Sequence, residues 1–418
     1  MTGETTIQGI PMSELADRFG TPLYVYDGDS LREQYRGLRD GLHPAMEMFY
    51  SLKANPNVAV CALLASLGAR AEVSSMVELR TALAAGVAPG DIIFLGPGKS
   101  RAELEACLDE GVFALVCESF GELGLIDELA RERGVIAPVM LRVNPSFAVK
   151  GSGLTMGGKP RQFGIDEQQL FDEPDLVKNF PGVRVIGVHA YMGTRILDPE
   201  VIAENARRII DLAERLANRL DFTLEAVDVG GGLGVAYFPG EPDLDPNAVT
   251  ELLNPVAEAF HTAHPGARLL LELGRYLAAP SGTYVTRVRY VKTSMGERFA
   301  VTDGGTNHHM AAVGIGSFVK RNFPMRLLNR AGGEAAPWNV TGPLCTPNDT
   351  VGRNVDLPEP RPGDLIGVLR SGAYGPSASP VLFLSHGYPA EVLVDGGRAR
   401  LVRRRDTVED LLSPQIRD

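Results

Sequence analysis

Alternating strand-like and helix-like segments run through the middle of the chain, from about residue 45 to residue 275. Short apolar runs such as EMFYSLK, PVMLRVN and RLLLELG are separated by amphipathic stretches such as MVELRTALAAG and VIAENARRIIDLAERLANRL. Eight strand candidates with helices between them match a (β/α)8 barrel in number and span, so we predict this α/β fold for residues 30–275. A doubly wound open sheet is the alternative that the pattern leaves open.

The pattern changes beyond residue 280. The segments GTYVTRVRYVKTS, RFAVTDGG, DLIGVLR and AEVLVDGGRARLVRR alternate at a period of two and are separated by Pro and Gly loops, which indicates a β domain. We assign residues 276–418 to this domain, with residues 1–29 added because PLYVYDG is typical of a further strand. A chain of 418 residues is long enough for these two cores.

Charge and cysteine content exclude several classes of protein. The net charge is −11, which disfavours nucleic acid or an anionic membrane as the main partner. The start of the chain lacks the basic and apolar regions of a signal peptide, and no apolar run is long enough to span a membrane, so we expect a cytoplasmic protein. The four cysteines form no CxxC pair and no cluster with histidines, so neither a disulfide framework nor a metal site is expected.

Side chains that suit catalysis follow the predicted barrel strands, at the ends where barrel enzymes carry their active sites. Strand ends one, two, five and six supply Lys53, Glu72, Arg142, His189, Tyr191 and Thr194. A lysine at the end of an apolar strand is costly unless its nitrogen is used, although it can also extend to the surface. The convergence of these side chains on one barrel mouth favours a functional site.

The last two strands end in DVGGGLG and LELGRY. Gly230, Gly231 and Gly232 allow backbone N–H groups to approach a phosphate, although glycine triplets also occur in ordinary loops. The spacing is not that of a dinucleotide fingerprint. A phosphate site and a buried lysine together indicate pyridoxal phosphate (PLP). Glu272 would then keep the pyridine nitrogen protonated and Arg275 would neutralise the phosphate, with a surface ion pair as the alternative.

Six motifs in order, YSLKAN, HAYMGT, DVGGGLG, ELGRY, GPLCTPND and GAYG, resemble those of the fold-type III PLP-dependent decarboxylases, such as diaminopimelate and ornithine decarboxylases. The resemblance implies a PLP-binding barrel, a C-terminal β domain and a homodimer with composite active sites. It implies Lys53 as the Schiff-base lysine and Cys345 as the residue that reaches the partner's site and protonates the substrate α-carbon. The cofactor-binding residues that it implies are Glu72, Arg142, His189, Tyr191, Thr194, Gly230, Gly231, Gly232, Glu272, Gly274, Arg275 and Tyr374.

The chain departs from the family pattern where the far end of the substrate binds. Thr346 follows Cys345 in place of the usual acidic residue, and Ala311 stands where diaminopimelate decarboxylases carry an arginine. Tyr191 replaces the histidine that usually stacks on the cofactor ring. An unpaired charge in such a pocket is costly, so we expect a substrate with an uncharged far end. His308 and His309 would offer it neutral hydrogen-bonding groups.

The segments LGPGKSRAELE, MGGKPRQFGID, NFPM and GAYGPSASPVLFLSHG resemble the members of this family that act on carrier-bound amino acids, the glutamyl- and methylaspartyl-carrier-protein decarboxylases. The resemblance implies α-decarboxylation of an acidic aminoacyl group on an acyl carrier protein, in antibiotic or other natural-product biosynthesis. A decarboxylase of free diaminopimelate or ornithine is the alternative. A non-catalytic PLP-binding protein is disfavoured, because such proteins lack the β domain and the GPLC motif.

Two basic runs are candidates for docking an acidic carrier protein, although such runs are more often solvated faces. VKRNFPMRLLNR contains Lys320, Arg321, Arg326 and Arg330. RARLVRRR contains Arg398, Arg400, Arg403, Arg404 and Arg405.

Overall fold

The computed structural model describes residues 3–148, 154–155, 157–310 and 321–417. The chain forms two compact units. One comprises Gln34–Val235 and Pro242–Tyr276, and the other comprises Met1–Glu33, Ala236–Glu241 and Leu277–Asp418. The short segment Ala236–Glu241 thus joins the second unit, although it lies within the range that the sequence assigns to the barrel.

The first unit is a closed barrel of eight parallel strands, which confirms the predicted fold and excludes the open sheet. Each strand pairs with its neighbours in chain order, and the fourth and fifth strands complete the ring. The strands are β1 (Met46–Ser51), β2 (Arg70–Val73), β3 (Ile92–Phe94), β4 (Ala114–Cys117), β5 (Ala137–Asn144), β6 (Val183–His189), β7 (Ala226–Gly231) and β8 (Arg268–Leu273). A short strand, Ile165–Asp166, adds to β5 outside the ring.

Helices follow the strands because the connecting turns carry N-cap residues. Three of these turns share the pattern S-x-x-E, in which a serine hydroxyl accepts a hydrogen bond from the backbone of the glutamate three residues later. The principal helices of this unit are Val58–Ser66, Met76–Ala84, Arg101–Glu110, Phe120–Arg133, Pro199–Leu220 and Pro246–Ala263, and shorter ones are Glu167–Phe171 and Leu176–Asn179. Gly28–Arg39 precedes β1, and Arg275–Ala278 follows β8.

The barrel interior is packed with side chains rather than open. Phe49, Ile93, Val116, Met140 and Leu270 come from five different strands and form one buried cluster. Such filling is typical of eight-stranded barrels, whose strands are buried on both faces and therefore contain mostly apolar residues. Polar side chains therefore have space only at the strand ends. Within the described residues, no helix is both long and apolar enough to cross a membrane.

The second unit is built on a mixed sheet. Its strands in spatial order are Thr350–Pro358, Ala335–Thr341, Glu297–Thr302, Gly282–Ser294, Leu23–Asp27, Ala390–Asp395 and Arg398–Arg403. Leu365–Val368 also pairs with the long strand Gly282–Ser294, and Met325–Leu327 pairs with Leu365–Val368. The N-terminal strand Leu23–Asp27 therefore lies at the centre of a sheet made mainly from the C-terminal part of the chain.

A short helix, Met12–Phe19, buries its apolar side in the core of this unit. Met12, Leu15 and Ala16 belong to the same buried cluster as Leu23, Val25, Val285 and residues of Ala390–Asp395. The two-residue periodicity of the sequence therefore matches a sheet with one face directed to a core.

Candidate active site

Lys53 lies in a one-turn 3-10 helix, Leu52–Ala54, that directly follows β1. Its Nζ is 2.9 Å from Oε2 of Glu72, at the end of the neighbouring strand β2, and 5.6 Å from the centre of the Tyr191 ring. The Glu72 side chain is fully buried, whereas 37% of the Lys53 side chain is exposed. The turn passes close to Gly274, where a Cβ would lie 2.9 Å from that of Ala54. Lys53 is thus an anchored amine that can still be reached from the barrel mouth.

The ends of β6, β7 and β8 bring His189, Asp228 and Glu272 together. One polar atom of each lies within 4.8 Å of those of the other two, and all three side chains are buried. His189 Nε2 is 3.1 Å from Oε1 of Glu272, and the Gly230 backbone N–H donates to Oδ1 of Asp228 at 2.8 Å. Two carboxyl groups and an imidazole therefore share one water-excluded floor beneath the barrel mouth.

The pKa values of the two carboxyl groups of this floor are shifted in opposite directions. Burial, together with the charge of Glu272, raises the pKa of Asp228 well above its ordinary value. Burial acts in the same direction on Glu272, but the Lys53 charge, the His189 hydrogen bond and the Arg142 charge outweigh it, so the pKa of Glu272 lies below its ordinary range. Of the two carboxyl groups, Glu272 is therefore the one whose surroundings favour the ionised form.

Three buried polar atoms on this floor have no hydrogen-bond partner within the described part of the chain: Glu272 Oε2, His189 Nδ1 and Asp228 Oδ2. Buried polar atoms are normally paired, so their presence indicates a ligand with polar groups of its own. An ionised carboxylate with a free oxygen suits a pyridinium N–H, and a reachable lysine amine suits an aldehyde. The residues therefore fit pyridoxal phosphate.

The glycine triplet is required by close packing of the backbone. A Cβ on Gly231 would lie 1.7 Å from the carbonyl oxygen of Glu272, on the adjacent strand β8. Gly232 has a φ of +84°, and a Cβ there would lie 2.1 Å from the carbonyl oxygen of Gly193. The triplet brings β7, β8 and the loop after β6 together without side chains, while contact of its backbone N–H groups with a phosphate stays a prediction.

Arg142, at the end of β5, is held by a second buried acid. Its Nη1 donates to Oε1 of Glu118 at 2.9 Å, and its guanidinium lies 4.7 Å from the centre of the Phe163 ring. Glu118 also accepts hydrogen bonds from the backbone N–H groups of Gly96 and Gly164. This network adds positive charge close to Glu272, while direct contact of Arg142 with a cofactor stays a prediction.

The remaining barrel residues of the predicted site follow β6 and β8. Thr194 belongs to the two-residue strand Gly193–Thr194 and is half-buried. Arg275 begins the short helix after β8 and is also half-buried. Their phosphate contacts stay predictions.

The other predicted site residues belong to the second unit. Cys345 is exposed, and Thr346 beside it is half-buried. His308 and His309 are buried: His308 Nε2 lies 2.9 Å from the Gly387 carbonyl oxygen, and His309 Nε2 lies 2.7 Å from Ser371 Oγ. Their substrate contacts stay predictions, as does the cofactor contact of half-buried Tyr374. Ala311 and Lys320 lie outside the described residues.

Asp228 and Glu118 were not among the residues selected from the sequence. Each is an acidic residue at the end of an otherwise apolar barrel strand, in VDVG and VCES. That is the same signal that identifies Lys53, and applying it to every strand end would have found both.

Comparison with known proteins agrees with this geometry. The model of the family described as "Pyridoxal-dependent decarboxylase, pyridoxal binding domain" matches residues 28–279. The chain is 40% identical to L-glutamyl-[BtrI acyl-carrier protein] decarboxylase of Niallia circulans, over 97% of this chain and 96% of that protein. It is 30% identical to diaminopimelate decarboxylase of Aquifex aeolicus, over 99% and 96%.

Among solved structures, diaminopimelate decarboxylase from Helicobacter pylori complexed with L-lysine superposes with a TM-score of 0.86. The match covers 96% of this chain and 98% of that chain at 29% identity. These matches account for the barrel, the sheet unit, the lysine and the buried carboxylate. The chain belongs to the family of pyridoxal-dependent amino-acid decarboxylases, which are lyases whose cofactor is pyridoxal phosphate.

Proposed function

We propose that this enzyme removes the α-carboxylate of an acidic aminoacyl group (glutamyl, aspartyl or methylaspartyl) that is joined to an acyl carrier protein. We place the reaction in the cytoplasm and in the biosynthesis of a natural product such as an antibiotic. The observation that carries the proposal is the near-complete alignment, at 40% identity, with a relative named for glutamyl carried on an acyl carrier protein.

The residue beside Cys345 supports an uncharged far end of the substrate. Thr346 has no charge to pair with a distal ammonium group, and its hydroxyl accepts a hydrogen bond from the backbone of Asn348 at 3.3 Å. A thioester-linked side chain needs no such partner, whereas a free diamino acid would place an unpaired charge there.

When bound, pyridoxal phosphate accepts the electron pair that the substrate α-carbon keeps as carbon dioxide leaves. Lys53 would hold the cofactor aldehyde, and Glu72, 2.9 Å from the lysine amine, would stabilise its ammonium form. Ionised Glu272 would keep the pyridine nitrogen protonated, and His189, 3.1 Å from it, would orient Glu272. Tyr191 would cover the ring face, and Gly230–Gly232 with Thr194 and Arg275 would hold the phosphate.

Cys345 completes the reaction by returning a proton. Its S–H bond breaks as a C–H bond forms at the α-carbon, the electron pair stays on sulfur, and solvent reprotonates the thiolate. We propose that this thiol serves the active site of a partner subunit in a homodimer. Mixing the inactive Lys53→Ala enzyme with a Cys345→Ala enzyme, which keeps only slow turnover, should then restore about a quarter of the wild-type activity, because half of the dimers carry one intact composite site. Mixtures that stay inactive would contradict the shared site.

Mass spectrometry distinguishes this substrate from the free amino acids. The enzyme is mixed with a carrier protein loaded with glutamyl or methylaspartyl groups, and separately with free diaminopimelate and ornithine. We expect a loss of 44 Da from the carrier-bound group, the mass of carbon dioxide, and no rapid turnover of the free amino acids. Rapid decarboxylation of free diaminopimelate would establish the alternative function.

Borohydride reduction tests the cofactor anchor independently of turnover. Reduced holoenzyme should carry a pyridoxyl group on the peptide that contains Lys53, and Lys53→Ala should lose the label together with the visible absorbance of the bound cofactor. Lys99 is a suitable comparison, since its buried amine already donates to Gly96, Val116 and Glu122. A label on any other lysine would overturn the assignment.

Docking of the carrier protein belongs to the same proposal. Arg330 pairs with Asp364, Arg404 with Asp410 and Arg403 with Asp406. Arg321 pairs with Glu241 at 3.5 Å and lies over the Phe238 ring, so reversing its charge would also disturb the second unit. Of the basic side chains described in the two runs, three remain exposed without an ion pair to a described residue: Arg326, Arg398 and Arg400.

We place the dock on Arg398–Arg403. This strand is an edge of the sheet along which Arg398, Arg400 and Leu401 are exposed, with an exposure of 48% for Leu401. A basic edge next to an apolar side chain suits an acidic amphipathic helix. Arg326 lies on Met325–Leu327, with four strands between the two edges, or roughly 24 Å at the usual strand spacing. One helix therefore contacts one edge and not both.

A further inference from the structure

The loop that carries Cys345 is a closed hairpin connection. It joins the strands Ala335–Thr341 and Thr350–Pro358, whose last pair is Thr341 with Thr350. The Gly342 N–H donates to the backbone oxygen of Asp349 at 3.1 Å and thereby closes the loop. Inside it, the Thr346 N–H donates to the Leu344 carbonyl oxygen at 2.8 Å, so Cys345 is the central residue of a three-residue turn. The turn presents the thiol at the surface of the unit.

The side chain of Asp349 folds back under this turn. It is 3% exposed and accepts hydrogen bonds from the Leu344 N–H at 2.7 Å, the Thr306 N–H at 2.7 Å and the Thr306 hydroxyl at 3.2 Å. Leu344 is the residue directly before Cys345, and Thr306 lies in the loop after Glu297–Thr302. One carboxylate thus fixes the base of the cysteine turn to a second loop of the same unit.

Both loops are shaped to admit this carboxylate. A Cβ on Gly305 would lie 2.2 Å from Oδ1 of Asp349, and a Cβ on Gly342 would lie 2.5 Å from its Oδ2. Any side chain at either position would displace the carboxylate, so the position of Asp349 depends on glycine at both of these sites. Backbone N–H donors to a carboxylate make charge-assisted hydrogen bonds, which are stronger and more directional than bonds between neutral groups.

We propose that Asp349 is the positioning residue of the proton donor: it holds the Cys345 turn so that the thiol delivers its proton to the α-carbon from one side. This inference rests on the proposed role of Cys345. Asp349 itself exchanges no proton with the substrate. Its contribution is geometric, because a proton donor that is displaced by about 1 Å loses much of its effectiveness.

The test is the stereochemistry of protonation in D2O. Decarboxylation places one deuterium on the α-carbon of the product, and a fixed donor places it on one face. With Asp349→Asn, one of the N–H donors faces an amide N–H2 instead of an oxygen, so the turn loosens. We expect a product of mixed configuration, together with at least a threefold rise in the share of turnovers in which the α-carbon stays unprotonated. Water would then hydrolyse the carbon–nitrogen bond, so that an oxo product is released and the amino group would remain with the cofactor.

The control is Asp364→Asn. Asp364 is another buried acid of the same unit, which accepts from the Arg361 N–H, Asn329 and Arg330 and has no hydrogen bond to the cysteine turn. It should lower stability without changing the configuration of the product. Equal stereochemical loss in both variants would overturn the proposal. Thr306→Val removes only the hydroxyl bond and gives a milder variant if Asp349→Asn fails to fold.

A double-mutant cycle separates this inference from the function on which it rests. If Asp349 acts through Cys345, Asp349→Asn should change neither configuration nor product partition in a Cys345→Ala background. A Cys345→Ala enzyme with wild-type stereochemistry would refute the proton-donor role itself. If Cys345→Ala loses the stereochemistry while Asp349→Asn keeps it, the donor role stands and the positioning role is refuted.

Discussion

Glu272 is a buried carboxylate to which the proposed mechanism assigns control of the electron flow. It is ionised because Lys53, His189 and Arg142 supply positive charge and hydrogen bonds, and its second oxygen is free for a pyridinium. Replacing it with glutamine keeps the shape and removes the charge. We expect Glu272→Gln to lower kcat by roughly 10²–10³-fold, as for the loss of other preorganised catalytic groups, measured by carbon dioxide release.

Glu47→Gln is the matched control for this substitution. Glu47 also lies on a barrel strand and pairs with Arg70 and Arg268, but it is near the start of β1, at the opposite end of the barrel. Groups at that end contribute to stability and not to chemistry. A comparable fall in kcat in both variants would show that Glu272 acts through the fold alone.

At the level of residues, the sequence predicts those side chains that the topology must bring together. Parallel strands end at the same face, so Lys53, Glu72 and Glu272 converge whatever the loops do. The sequence does not reveal that the pKa values of Asp228 and Glu272 shift in opposite directions, because these shifts depend on distances across the floor between the buried groups. Nor does it show that His308 and His309 are buried with partners of their own.

The segment after Glu297–Thr302 contains two neutral histidines whose burial makes the second unit sensitive to acid. Burial lowers the pKa of His308 and of His309 to about 4. The ordinary histidine pKa is 6.5, so below pH 6.5 the unfolded chain binds protons at these two positions while the folded chain does not. The free energy of unfolding is therefore highest above pH 6.5 and decreases as the pH falls toward 4. Acidification from pH 6.5 to 5.5 should cost about 2 kcal/mol for the pair, measured by urea unfolding.

A variant tests the origin of this acid sensitivity. His309→Gln keeps a side chain that can hydrogen-bond Ser371 and removes one titrating group, so the loss over this pH interval should fall to about half. His261→Gln, at an exposed position of the barrel unit, should leave the loss unchanged. If His309→Gln keeps the full pH dependence, other groups are responsible for it.

At the level of elements, the local sequence pattern is sufficient to predict the strands and helices of the barrel. It is insufficient to predict which segments belong to which of the two units. The helices start where S-x-x-E places a cap, and the buried strands show themselves by their apolar content. The segment Ala236–Glu241 follows a barrel strand, yet Tyr237 and Phe238 contact Phe323, and Arg370 donates to the Ala236 carbonyl oxygen. These partners are distant in the sequence, so no local signal reveals them.

For the molecule as a whole, the net charge of −11 opposes an acidic partner, so docking must depend on local basic residues. We expect the double variant Arg398→Glu and Arg400→Glu to raise KM for the carrier-bound substrate at least tenfold, with kcat little changed. The double variant should decarboxylate a glutamyl-pantetheine thioester, which lacks the carrier protein, with the same kcat and KM as the wild-type enzyme. The wild-type KM for the carrier-bound substrate should rise with salt, because screening weakens exposed charge pairs.

The matched control is Arg326→Glu, at the opposite edge of the sheet. This substitution should leave kcat and KM unchanged for both the carrier-bound substrate and the pantetheine thioester. An effect confined to Arg326 would move the dock to that edge. Equal losses with and without the carrier would show that the substitutions damage the enzyme rather than its docking surface.

The absence of side chains at the glycine triplet has a consequence for how this enzyme class diversifies. With Gly231 pressed against the backbone of β8, the spacing between the two cofactor-holding ends is set by main chain alone. Substitutions such as Thr346, in a loop of the other unit, leave that spacing untouched. Selection can therefore change the amino acid substrate, even to one that is attached to a protein, without altering the main chain that holds the cofactor.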